Sequence, residues 1–161
     1  MWKSGHSLIK AKMLEVDALL GGEMSGHVFF RERWYGFDDG LYSACRLLEI
    51  VSAQSESTTD LMARYSTGIS TPEINLEVGE QRKFQLIDAL GQYADWESGK
   101  LTTLDGIRVD YPTGWGLIRA SNTTPMLTFR FEADKPEDLN RVQQIFRDRL
   151  AAVAPDLQPP F

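Results

Sequence analysis

The sequence predicts a mixed α+β protein in two parts, residues 1–66 and 67–161. Three observations carry that expectation. The run Glu73-Ile74-Asn75-Leu76-Glu77-Val78 alternates strictly, the mark of a strand with one solvated face. Beyond it the pattern reads helix, several antiparallel strands, helix, and a sheet with helices on one face buries such a pattern. Ahead of it, Ser66-Thr67-Gly68-Ile69-Ser70-Thr71-Pro72 has the composition of a linker.

In the first part, a helix is expected from about Ser4 to Asp17. Leu8, Ile9, Met13 and Val16 recur there at helical spacing, and Ser4 or Ser7 can cap its start. Ala18-Leu19-Leu20 reads as a short buried strand broken by Gly21-Gly22. Val28-Phe29-Phe30 reads as a second strand, with the loop Gly22-Glu23-Met24-Ser25-Gly26-His27 between them. The aromatics of Trp34-Tyr35-Gly36-Phe37 are expected to pack. Asp38-Asp39 then opens a helix to about Ala53, whose dipole favours negative charge at that end. Leu41, Ala44, Cys45, Leu48 and Val51 form its apolar stripe. Ser57 with Asp60 resembles a capping box for a short helix to about Tyr65. Short strands need more neighbours than this part supplies, so an N-terminal portion is expected to be missing from it.

In the second part, Glu80 to about Asp95 is expected to be helical, with Phe84, Ile87, Leu90 and Ala94 inward. Leu101–Leu104, Ile107–Tyr111, Trp115–Arg119 and Met126–Ala133 read as strands, with Asp105-Gly106 as a two-residue hairpin turn. Pro136 to about Ala152 is the last helix, its proline in the first turn. Leu139, Val142, Ile145, Phe146, Leu150 and Val153 give it a broad apolar face.

Bulk properties narrow the function. With 42% hydrophobic and 11% aromatic residues, the 161-residue chain can fill a packed interior. A net charge of -6 argues against nucleic-acid binding, which depends on basic patches, but leaves room for a small anion held by a few focused positive groups. The single cysteine, Cys45, permits no internal disulfide and reads as a small core residue. No apolar run approaches the roughly 20 residues that span a bilayer. Met1-Trp2-Lys3-Ser4-Gly5-His6 resembles neither a signal nor a transit peptide, so a cytoplasmic protein with no membrane partner is expected.

Two stretches carry chemistry. Arg119-Ala120-Ser121-Asn122-Thr123-Thr124-Pro125 lies between two strand-like runs and combines a fixed positive charge with hydroxyl and amide side chains. Arginine pairs with two phosphate oxygens in a planar fork, and Ser, Asn and Thr add donors. The other reading is a polar hairpin with a structural arginine. In the second stretch Glu23, Ser25 and His27 alternate, so an extended backbone would set them on one side, where they could grip sugar hydroxyls. A surface hairpin loop is the plainer alternative; a metal site would need more ligands than one His and one Glu.

Met1-Trp2-Lys3-Ser4-Gly5-His6-Ser7, Gly22-Glu23-Met24-Ser25-Gly26-His27, Phe37-Asp38-Asp39-Gly40, Thr103-Leu104-Asp105-Gly106 and Arg119-Ala120-Ser121-Asn122-Thr123-Thr124-Pro125 together resemble the α-D-phosphohexomutases, most nearly their bacterial phosphomannomutase/phosphoglucomutase branch. The resemblance covers nearly the whole chain, in order. It implies enzymes of four domains that interconvert hexose 1-phosphates and 6-phosphates through a bound hexose 1,6-bisphosphate. A phosphoserine lies in the first domain, and a magnesium ion in the second. By that resemblance residues 1–66 are the C-terminal part of an incomplete α/β third domain, and 67–161 are the fourth, a TATA-binding-protein-like antiparallel sheet with two helices.

Carried over by position, Glu23 and Ser25 would bind sugar hydroxyls, with Met24 and Gly26 in the same loop. Gly5, His6 and His27 would lie near the transferring group. Arg119, Ser121, Asn122 and Thr123 would hold the phosphate that is not reacting, with Ala120 and Thr124 beside them. The chain departs from the family pattern in two respects: it has no serine in the phosphoserine setting and no Asp-x-Asp-x-Asp metal loop, which Asp38-Asp39 does not replace. The expectation is therefore a recognition portion that has no metal site and is inactive alone. It would take glucose or mannose phosphates and work with the missing N-terminal domains. A stand-alone, non-catalytic binding module is the alternative.

Overall fold

The computed structural model describes residues 1–65, 68–92 and 95–161. Its backbone divides into two units, Met1–Ser66 and Thr67–Phe161.

In the first unit, helix α1 (His6–Glu15) packs on a two-stranded antiparallel hairpin, β1 (Leu20–Gly22) and β2 (Val28–Phe30). The helix has Gly5, rather than Ser4 or Ser7, at its cap position, and is shorter than its apolar pattern suggested. The glycine pair does not break the strand but belongs to it. A Cβ at Gly21 would lie 2.6 Å from Met13 Sδ and 3.2 Å from Ile9 Cγ2, so a bare backbone is what allows α1 to approach. Ile9, Met13 and Phe29 form the small core, with Ala18 against it.

Helix α2 (Gly40–Ser52) starts at Asp39, whose side chain accepts from the Tyr42 N–H at 2.9 Å. Its expected apolar stripe is not buried: Leu41 is 80% and Leu48 64% exposed, and Cys45 is exposed rather than in a core. The helix instead lays Tyr42 and Arg46 on the Phe30 ring, Tyr42 edge-on and the Arg46 guanidinium 4.6 Å above it. Two short strands offer no surface wide enough to cover the stripe as well. Helix α3 (Thr58–Ala63) has the expected cap: Ser57 Oγ accepts from the Asp60 N–H at 3.1 Å and donates to its carboxylate at 2.6 Å.

The second unit is built on one antiparallel sheet of β3 (Ile69–Ser70), β4 (Ile74–Glu77), β5 (Lys100–Thr102), β6 (Ile107–Tyr111), β7 (Gly114–Ala120) and β8 (Met126–Ala133). Strands β3 and β4 share one edge of β8, Ile69 opposite Ala133 and Ile74 opposite Phe129, and β7, β6 and β5 follow on its other side. Part of the linker-like stretch is thus strand. Alternation on β4 leaves Ile74 and Leu76 half-buried while Asn75 and Glu77 are exposed.

Helices α4 (Glu80–Gln92) and α5 (Pro136–Val153) cover the sheet. Leu86 and Leu90 of α4 and Val142, Ile145, Phe146 and Leu150 of α5 close over Ile107, Val109, Ile118, Leu127, Phe129 and Phe131. The inward face of α4 is offset from the expectation: Phe84 is 52% exposed and Lys83 only 1%. The expected inward Ala94 lies outside the described residues. Asp105-Gly106 is not a two-residue turn. Five residues separate the last β5–β6 pair, Thr102 and Arg108, and the loop presses on β7, where a Cβ at Gly106 would lie 2.3 Å from the Ile118 oxygen. Among the described residues no helix is long and apolar enough to cross a membrane.

Candidate functional site

Each unit has a polar cluster that includes residues singled out in the sequence. In the first, the β1–β2 connection is a tight turn rather than an extended run. The Glu23 N–H donates to the His27 oxygen at 2.8 Å, and the Gly26 N–H to the Glu23 oxygen at 3.0 Å. Glu23, Ser25 and His27 therefore do not share a side by alternation. Glu23 and Ser25 still meet, Ser25 Oγ donating to Glu23 Oε2 at 3.2 Å. The other Glu23 oxygen accepts from the Gly5 N–H at 2.6 Å, which ties the turn to the start of α1. Met24 is exposed at the tip.

His27 turns to a different set of partners. Its Nδ1 lies 2.7 Å from Asp38 Oδ2, and His6 Nε2 lies 3.8 Å from the same oxygen. The two imidazoles meet edge-on with centroids 4.5 Å apart, and His6 also packs edge-on against the buried Phe29. Asp38 Oδ1 accepts from the Val28 N–H at 3.1 Å. These bonds, His27's foremost, hold the Asp38 carboxyl below the usual carboxylate range. An ionised carboxylate only accepts, so the bond places a proton on His27 Nδ1 and leaves Nε2 to take or give one. Asp38 fixes the ring as a second group fixes a general base.

His6, His27 and Asp38 offer three ligand atoms within 4.8 Å of one another. Tetrahedral zinc at its usual bond lengths keeps its ligand atoms about 3.3 Å apart. The 2.7 Å contact between His27 and Asp38 is closer than that and has the length of a hydrogen bond. Proton exchange suits this cluster better than metal binding. Asp38 was not legible as a site residue, because beside Asp39 it read as another helix-opening acid. Only one residue can be the cap, and Asp38, one position earlier, is left for another partner.

In the second unit the Arg119–Pro125 stretch joins β7 to β8, with Arg119 opposite Thr128 and the Ser121 N–H donating to the Met126 oxygen at 2.9 Å. Ser121 Oγ accepts from the Thr124 hydroxyl at 2.8 Å and from the Thr123 and Thr124 N–H groups at 3.4 and 3.3 Å. With its oxygen so used, the Ser121 hydroxyl has its own proton to give. Asn122 and Thr123 are exposed; Arg119 is half-buried and, among the described residues, pairs with no carboxylate. Beneath the turn, Lys83 Nζ donates to the Ser121 and Thr124 oxygens at 2.8 and 2.9 Å. Sequence periodicity had placed Phe84 in the interior instead. An unpaired guanidinium beside hydroxyl and amide donors suits a phosphate or carboxylate.

Two family models match the chain in order: "Phosphoglucomutase/phosphomannomutase, alpha/beta/alpha domain III" over residues 1–67 and "Phosphoglucomutase/phosphomannomutase, C-terminal domain" over residues 73–149. A phosphomannomutase/phosphoglucomutase of Pseudomonas aeruginosa is 60% identical over 161 residues, all of this chain and 35% of that protein. A phosphoglucomutase of Neisseria meningitidis is 50% identical over 149 residues, 91% of this chain and 32% of the relative. The crystal structure of a phosphoglucomutase/phosphomannomutase family protein from Burkholderia thailandensis superposes with a TM-score of 0.91 at 48% identity, covering 100% of this chain and 34% of that one. The chain thus spans about a third of the length of the curated relatives it matches.

Proposed function

The chain belongs to the phosphoglucomutase/phosphomannomutase family, and we propose that it is the sugar- and phosphate-recognition portion of a phosphomannomutase/phosphoglucomutase. That enzyme interconverts hexose 1-phosphate and hexose 6-phosphate through a bound 1,6-bisphosphate. Residues 1–66 are the end of the third domain, with Gly5, His6 and Glu23 to His27 for the sugar. Residues 67–161 are the fourth, with Arg119 to Thr124 for the phosphate that is not reacting. The observation that carries this reading is Arg119, with no carboxylate partner among the described residues, at a turn of hydroxyl and amide donors.

The chemistry asked of these residues is placement. Phosphoryl transfer gains most from positioning and charge stabilisation, so a clamp on the remote phosphate contributes to the reacting end. Glu23 and Ser25 take sugar hydroxyls, and His27, oriented by Asp38, exchanges the proton of the hydroxyl that gains or loses phosphate. The phosphoserine and a magnesium ion are assigned to the enzyme's other domains and to no residue of this chain, which alone is inactive. The partners are therefore a glucose or mannose phosphate and those N-terminal domains, in the cytoplasm.

The test is a two-dimensional NMR titration of the chain with glucose 1,6-bisphosphate beside Arg119→Ala. Shifts at Arg119–Thr124 and Glu23–His27, with those at the arginine turn lost in the variant, are the expected result. A well-folded spectrum without shifts in either stretch overturns the reading for this chain. Steady conversion of glucose 1-phosphate to glucose 6-phosphate by the pure chain overturns its inactivity.

A further inference from the structure

Lys83 stands on the inward face of α4 at 1% exposure, beside Leu86 and Leu90, where its helical neighbours are apolar. Burying an ammonium is costly unless its hydrogens are satisfied. All three are: the Ser121 oxygen at 2.8 Å, the Thr124 oxygen at 2.9 Å and Glu80 Oε1 at 2.8 Å. No hydrogen is left for a ligand, so any role in binding is exerted through the turn.

Both acceptors are backbone oxygens of the turn between β7 and β8. A carbonyl that faced an anion there would repel it, and the ammonium draws two of them the other way. Among the described residues every peptide bond is trans. In a trans peptide the N–H points opposite to the carbonyl before it. The Ser121 carbonyl directed at Lys83 therefore sets the Asn122 N–H away from it. We propose that Lys83 is a positioning residue for anion binding. It holds the Ser121 and Thr124 carbonyls inward, so that the Asn122 N–H and the Ser121 hydroxyl proton are presented to a phosphate beside Arg119. The proposal rests on the reading of this turn as the phosphate clamp, and it adds a cation that shapes the clamp without touching the ligand.

The experiment compares the wild-type chain with Lys83→Met and Lys83→Arg. It measures glucose 1,6-bisphosphate affinity by calorimetry and the heteronuclear NOE of Asn122, Thr123 and Thr124 without ligand. The expected result is a folded Lys83→Met whose β7 and β8 amides keep their dispersion. Its turn loses order, and its affinity falls about tenfold or more. Lys83→Arg, which keeps a cation with several donors, recovers part of both. A folded Lys83→Met with unchanged turn order and affinity overturns the proposal. If Lys83→Met does not fold, Lys83→Gln takes its place with the same two outcomes. Failure of the wild type to bind defeats the phosphate reading instead, and the turn-order measurement then decides whether Lys83 organises the turn.

Discussion

His27 Nδ1 and Asp38 Oδ2 meet at 2.7 Å, joining the end of the β1–β2 turn to the residue just before the cap of α2. The Asp38 carboxyl is held below the usual carboxylate range, chiefly by this bond and also by the Val28 N–H. A depressed carboxyl contributes stability that is complete above its unfolded value and lost as pH falls through that value to the folded one. Acid unfolding of the chain followed by NMR signals of residues 1–65 is expected to show this loss, and Asp38→Asn to flatten it. An unchanged acid slope in the variant would show that the pair contributes nothing to folding.

Arg119→Ala is expected to weaken glucose 1,6-bisphosphate binding while leaving the unfolding midpoint close to wild type. A charge-assisted hydrogen bond is worth about 1.5–3 kcal/mol net, so the loss is about ten- to a hundredfold in affinity. Calorimetry and a thermal melt on the same sample separate the two. A variant that unfolds instead makes Arg119 a structural residue.

Glu23→Gln tests sugar recognition. The carboxylate accepts from the Gly5 N–H at 2.6 Å and from Ser25 at 3.2 Å, and the amide keeps one acceptor oxygen. The expected result is weaker binding of the hexose bisphosphate with inorganic phosphate binding unchanged. Equal losses for both probes would contradict a role with sugar hydroxyls.

Gly116→Ala probes packing. A Cβ there would lie 2.4 Å from Phe146 Cε2 and 3.0 Å from Phe131 Cδ1, and the Phe146 ring is itself held against Trp96 and Phe131. Overpacking of this kind costs about 1–3 kcal/mol. Chemical denaturation is expected to show a lower midpoint at unchanged slope; a midpoint equal to wild type would mean that the rings move aside freely.

Tyr111 carries a buried hydroxyl without a hydrogen-bond partner among the described residues, and burial, with Glu97 nearby, pushes its pKa up to about 12. A phenol whose pKa is raised in the folded state contributes stability below its ordinary value near 10 that is lost as pH climbs toward the folded value. Tyr111→Phe is expected to be neutral or stabilising at neutral pH and to remove this loss between about 10 and 12. A clear drop in neutral stability would reveal a partner for the hydroxyl.

Much of this protein follows from local pattern. From β4 onward the order of elements in the second unit was legible because alternation and helical spacing record which side of each segment is buried, as with Ile74, Leu76 and the α5 face. The Ser57 cap was legible because its partner, Asp60, is only three residues away. The polar composition of the two candidate stretches was also plain in the sequence.

Other features depend on residues that only the fold brings together. Gly5 meets Glu23 across 18 positions, His27 meets Asp38 across 11, and Lys83 reaches Ser121 across 38. Periodicity says that a side chain faces something, not what it faces. It could not tell that an α4 position in the interior takes a lysine for the sake of two distant carbonyls, or that Gly21 admits a helix rather than ending a strand. The α2 stripe shows the converse. Its apolar spacing marks a face suited to burial, yet the small hairpin of this unit takes the Tyr42 and Arg46 side instead. The sequence by itself determined most of the helices and strands, though not β3 or the glycine end of β1, and which stretches carry polar chemistry. The tertiary structure decided which of those groups meet, because hydrogen bonds and close contacts are set by distance in space rather than by distance along the chain.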